Sequence, residues 1–101
     1  MYIYYTKEGK FETEQVDDIL WKKCHKLDGP AVICSDGHKE WMLNGKHHRL
    51  DGPAVITLNG EVGYFIDDKL LDTKEVETWI KDNNIDLKTK QHQVLFMLRF
   101  G

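Results

Sequence analysis

The segment His25-Lys26-Leu27-Asp28-Gly29-Pro30-Ala31-Val32-Ile33 returns 23 residues later as His48-Arg49-Leu50-Asp51-Gly52-Pro53-Ala54-Val55-Ile56. A period of this size means that one supersecondary unit is used more than once and buries its apolar face against its neighbour. The offset continues downstream. Asp36-Gly37 falls on Asn59-Gly60, Trp41 on Tyr64, Leu43 on Ile66 and Lys46 on Lys69. Backward, Leu43 falls on Leu20 and His47 on Cys24. Forward, the pattern fades, because His48-Arg49 would fall on Leu71-Asp72. Two strong copies with degraded ends suit a short stack whose terminal units act as caps.

Turn chemistry punctuates each copy. Asp36-Gly37, Asn44-Gly45 and Asn59-Gly60 read as two-residue hairpin turns of type I′, which need positive φ at both central residues. Lys7-Glu8-Gly9-Lys10 is a similar turn, and Asp67-Asp68 takes the place of Asn44-Gly45. Pro30 and Pro53 lack an N–H and belong at a strand start or edge. The segments between turns predict strands at 2–6, 10–15, 30–35, 38–43, 53–58 and 61–66, an antiparallel meander from residue 1 to about 71. Alternation places Ala54, Ile56 and Leu58 on one face. Val62, Tyr64 and Ile66 share a face, as do Lys39, Trp41 and Leu43 one copy earlier.

After Leu71 the period becomes helical. Asp72 or Thr73 can cap a helix, with Glu75 completing a capping box on Asp72. Val76, Trp79 and Ile80 form an apolar stripe. Asn83-Asn84 suits its end. Thr89 caps a second helix, with Val94, Leu95 and Leu98 facing the core, although 94–100 also fits a strand. A length of 101 residues allows one domain. The expected fold is therefore mainly β (α+β). It has an N-terminal β-hairpin at 1–17, β repeats at 18–71 and a helical cap at 72–101 over the apolar sheet face.

The net charge of −3 hides a pattern. Residues 21–50 are basic and hold His25, His38, His47 and His48, between two acidic flanks. A polyanion binder has a strongly basic domain, so long nucleic acid is not expected as a partner; the middle segment reads as a solvated basic face or as the seat of a small anion. No apolar run approaches the roughly 18 residues of a membrane helix. Met1-Tyr2-Ile3-Tyr4-Tyr5-Thr6-Lys7 lacks the apolar stretch of a signal peptide. A cytoplasmic location is expected, with Cys24 and Cys34 reduced.

Candidate chemistry is sparse. Cys24, His25, Cys34, His38, His47 and His48 lack the Cys-x-x-Cys or His-x-x-x-His spacing of structural zinc, so no metal and no cofactor are expected. Cys24 or Cys34 with a histidine could make a nucleophile and base, and His38 with Asp36 an acid–base pair, but neither sits in a catalytic motif. There is no phosphate-binding loop and no Gly-x-Ser-x-Gly. The chain is read as a non-enzyme. Asp28 and Asp51 are expected to fix their turns by accepting local backbone N–H groups, and to pair with Lys26 and Arg49. The candidate binding rim comprises His25, Lys26, Trp41, His47, His48, Arg49 and Tyr64: cationic donors beside two aromatic faces.

The run Glu40-Trp41-Met42-Leu43-Asn44-Gly45-Lys46-His47-His48, followed by Asn59-Gly60, resembles MORN repeats, which have a period of about 23 residues and stack as β-hairpins. Where those carry His-Gly, this chain has His48-Arg49-Leu50-Asp51-Gly52-Pro53-Ala54. That variant looks like small proteins of tailed bacteriophages and some bacteria, over roughly residues 18–101. The resemblance implies interaction work: membrane or protein contact for MORN repeats, accessory or counter-defence roles for the phage proteins. The leading expectation is inhibition of a host protein, such as one of a defence system, by protein–protein contact. The alternatives are sequestration of a small anionic nucleotide and a small hydrolase. Open strand edges would favour a homodimer.

Overall fold

The computed structural model describes residues 1–101. Two strands, β1 (Tyr2–Thr6) and β2 (Gly9–Thr13), form the expected N-terminal hairpin, in register from Tyr2 against Thr13 to Thr6 against Gly9. A one-turn helix follows, α1 (Asp18–Trp21). It lies in the span read as β repeats, at a stretch where no strand is expected. Asp17 nucleates it, its carboxylate accepting the Leu20 N–H at 2.9 Å.

Eight short strands come next: β3 (Val32–Cys34), β4 (Lys39–Glu40), β5 (Met42–Leu43), β6 (Lys46–His47), β7 (Val55–Ile56), β8 (Val62–Gly63), β9 (Phe65–Ile66) and β10 (Lys69–Leu70). Six strands make one antiparallel sheet in the order β2-β1-β3-β4-β7-β8. β5 pairs with β6 and β9 with β10 as separate two-stranded ribbons. The strands expected at 38–43 and 61–66 are thus each broken, at Trp41 and at Tyr64. The Trp41 N–H stays with the sheet, donating to Ala54 O at 2.7 Å, while its carbonyl turns away to accept the His48 N–H at 3.1 Å. At Tyr64 the carbonyl likewise accepts the Leu71 N–H at 2.9 Å.

The 23-residue offset recurs in the backbone hydrogen bonds. Gly45 N–H to Cys24 O becomes Asp68 N–H to His47 O. Lys26 N–H to Met42 O becomes Arg49 N–H to Phe65 O, and Ala31 N–H to Glu40 O becomes Ala54 N–H to Gly63 O. Both ribbon turns have two positive φ angles, 51° and 77° at Asn44-Gly45 and 48° and 70° at Asp67-Asp68. Asp36-Gly37 and Asn59-Gly60 differ from expectation. Only their glycines are positive, at 103° and 84°, as in three-residue hairpin loops that end on a left-handed residue. Gly45 is also required by close approach, since a β carbon there would lie 2.8 Å from Lys22 Cα, where α1 ends.

Two helices close the chain: α2 (Thr73–Asp82) and α3 (Lys90–Phe100). Asp72 caps the first by accepting the Glu75 N–H, and Thr89 caps the second by accepting the His92 N–H. The 94–100 segment is helical, but its inner face is not the expected one. Phe96 and Phe100 are buried, whereas Val94, Leu95 and Leu98 are exposed. The two phenylalanines stand four residues apart and present more apolar area than the aliphatic set, so they take the interior. They join a cluster with Tyr64, Ile66, Leu71, Val76 and Leu87. A second, smaller cluster of Cys24, Ala31, Val32 and Met42 lies under the N-terminal strands. Leu58 is exposed because β7 ends at Ile56 and the loop begins. No helix is long and apolar enough to cross a membrane.

Candidate functional site

Four of the seven rim residues, Lys26, Trp41, His48 and Arg49, line one cleft of about 480 Å³. It lies between the two copies of the repeated segment, with Leu27, Asp28 and Pro30 on one wall, Leu50 and Asp51 on the other, and Gln93 contributed by α3. The other three lie elsewhere. His25 borders a shallow polar hollow with Lys22 and Lys23. His47 is drawn into a partly buried network around Glu40. Tyr64 is only 7% exposed and forms part of the core, so it is not a wall of the rim.

Arg49 is the most constrained side chain of the cleft. Its guanidinium lies over Trp41, 3.8 Å from the ring centroid. Nε donates to Asp51 at 2.7 Å and Nη1 to Pro53 O at 2.9 Å. Gly52 makes room: a β carbon there would stand 2.9 Å from Arg49 Cζ. Copy one is built differently. Lys26 Nζ sits 3.7 Å above the Tyr5 ring and forms no ion pair with Asp28. Neither aspartate accepts a local backbone N–H, contrary to expectation; Asp51 braces its turn through Arg49 instead.

His25 and His48 have the same task in successive copies. His25 Nδ1 accepts the Asn44 N–H at 2.9 Å, and His48 Nδ1 accepts the Asp67 N–H at 3.0 Å. Each ring pins the first residue of a ribbon turn. His92 repeats the device outside the repeats, accepting the Asp86 N–H at 2.7 Å. His48→Ala is therefore expected to destabilise the fold by about 1–2 kcal/mol, since it removes the partner of a turn N–H. His48→Asn, whose Oδ1 can stand where Nδ1 stood, should recover most of the loss in urea denaturation.

The remaining two histidines flank Glu40, the one buried charged residue. His38 Nε2 lies 2.7 Å from one carboxylate oxygen, and His47 Nε2 bonds the other. The Asp68 carboxylate also faces His47, accepting its backbone N–H at 3.1 Å. Burial pushes the Glu40 carboxyl up, but hydrogen bonds and charge from His47 and His38 outweigh it and leave it below the usual range. The hydrogen bond to Glu40 raises His47, against the opposing effect of burial. Sequence reasoning passed over Glu40. The available signal was its spacing of two from Met42, which places both on the inward face of an extended chain.

Asp36 and Cys24, two of the candidate catalytic groups, are engaged by the backbone. Asp36 accepts the backbone N–H of His38 rather than facing its ring, and that bond lowers its carboxyl. The Cys24 thiol is raised to about 11 by burial and by the Glu40 charge, and it donates to Leu20 O rather than to a histidine. No three His, Cys, Asp or Glu side chains are grouped to hold a metal ion. No protein-family model, curated protein or solved structure matches this chain.

Proposed function

We propose that this is a MORN-like repeat protein that acts without catalysis, by binding another protein, in the manner expected of a phage accessory protein that inhibits a host factor. One observation carries the reading. The outer face of α3 displays Val94, Leu95, Met97 and Leu98 at 57%, 45%, 43% and 78% exposure, beside a groove lined by Trp79 and Ile85. An apolar helix face left open to water on a domain this small is a contact surface. α3 itself carries Lys90, His92 and Arg99 and no acid. The partner that fits is a protein groove with an apolar floor and carboxylates at its rim. The family likeness of the repeats supports an interaction role of this kind.

Leu98→Glu is expected to leave the melting temperature within about 4 °C, because surface changes cost under about 0.5 kcal/mol. It should abolish capture of the host protein that the wild type retains. Arg99→Glu should weaken capture and reduce its salt dependence. Capture unaffected by Leu98→Glu would overturn the reading. So would a wild-type homodimer that Leu98→Glu dissociates, since the face would then be covered by a second copy.

A further inference from the structure

We propose that the cleft between the two repeat copies is a binding site for a nucleoside phosphate carrying little more than one phosphoryl group. Its volume of about 480 Å³ lies within the range of about 300–1,000 Å³ typical of small-molecule sites. One wall presents donors that are already fixed. Asp51 and Pro53 hold two nitrogens of Arg49, and Trp41 supports its plane, while Nη2 has no protein partner. His48 Nδ1 is occupied by the Asp67 N–H, so its neutral ring carries the proton on Nε2, as a donor. A guanidinium edge and an imidazole N–H suit phosphoryl oxygens, and donors ordered in advance lose little freedom on binding.

The facing wall has other chemistry. Leu27, 82% exposed, and Pro30 offer apolar contact for a base or sugar. Asp28 has no ion-pair partner and can accept from a sugar hydroxyl or an exocyclic amine. Lys26 also lines this wall, with its ammonium held over the Tyr5 ring. Lys26 and Arg49 are balanced by Asp28 and Asp51, so the site has no surplus charge for a polyphosphate. A bipolar ligand satisfies both walls, whereas inorganic phosphate satisfies one.

The test is a titration of the intact chain with nucleoside 5′-monophosphates, followed by imidazole and side-chain amide NMR. Shifts of the His48 ring and the Gln93 amide with the His25 ring unmoved, and with saturation at millimolar ligand or below, are the expected result. Asp28→Asn keeps the side-chain shape and should weaken binding about tenfold, the worth of one charge-assisted hydrogen bond. Arg49→Lys should weaken it further and, unlike Arg49→Ala, retain a cation against Trp41. Three results would each overturn the proposal: no response of His48 and Gln93 to any nucleoside monophosphate; equal affinity for inorganic phosphate; equal affinity for the unphosphorylated nucleoside.

Discussion

Phe96→Ala is expected to lower stability by about 3–5 kcal/mol, the usual cost of emptying a buried phenylalanine site. Phe96 is fully buried, with its ring centroid 6.3 Å from Tyr64, 6.2 Å from Trp79 and 5.6 Å from Phe100. It is the point where Tyr64, between β8 and β9, meets α2 and α3. A domain has about 5–15 kcal/mol in total, so this one change takes a large share. The melting temperature should fall by roughly 15–30 °C. Leu98→Ala, two residues on, should cost under about 0.5 kcal/mol, because that side chain is 78% exposed. Urea denaturation of the pair decides which face of α3 is inward. A larger loss for Leu98→Ala would reverse the assignment.

Glu40→Ala should cost about 2–4 kcal/mol, since it removes the shared partner of two half-covered histidines from beside a core cluster. Glu40→Gln should cost less, because an amide can still engage both rings. The two variants also differ in pH response. His47 is raised above its ordinary 6.5, so its contribution is complete below that value and is lost as pH rises through the elevated one. Glu40 is lowered below its ordinary 4.5, so its contribution is complete above that value and is lost as pH falls through the depressed one. The pair therefore stabilises most between about 4.5 and 6.5 and declines on both sides. Glu40→Gln should flatten that curve. Thermal unfolding of both chains across pH checks it, and an unchanged profile in Glu40→Gln would remove the pair from the account.

The N-terminal hairpin, the caps at Asp72 and Thr89, and the 23-residue offset were legible because each rests on local chemistry or on direct recurrence. What failed was the choice of buried face. Trp41 and Tyr64 occupy equivalent positions in sequence, yet the buried residues are Glu40 and Met42 around the first, and Tyr64 and Ile66 at the second. α2 and α3 cover only the second copy, while Arg49 covers Trp41. The covering elements come from far along the chain, so no local pattern could distinguish the two. The same distance hid the α3 face, where two apolar sets compete for one interior. The candidate site was half legible. Lys26, Trp41, His48 and Arg49 do converge, but the turn-bracing role of the histidines depends on residues 19 positions away.

The sealing of Cys24 makes a thiol reagent into a clock. Cys34 is partly open to solvent, whereas Cys24 is fully enclosed, its thiol raised to about 11 by burial and tied to the α1 carbonyl of Leu20. One equivalent of alkylating agent should be consumed promptly, and the second only when α1 lifts away from the sheet. The lag between them measures how often the N-terminal end breathes while the helical end stays closed. That number would say whether the molecule opens from one end at a time or only as a whole.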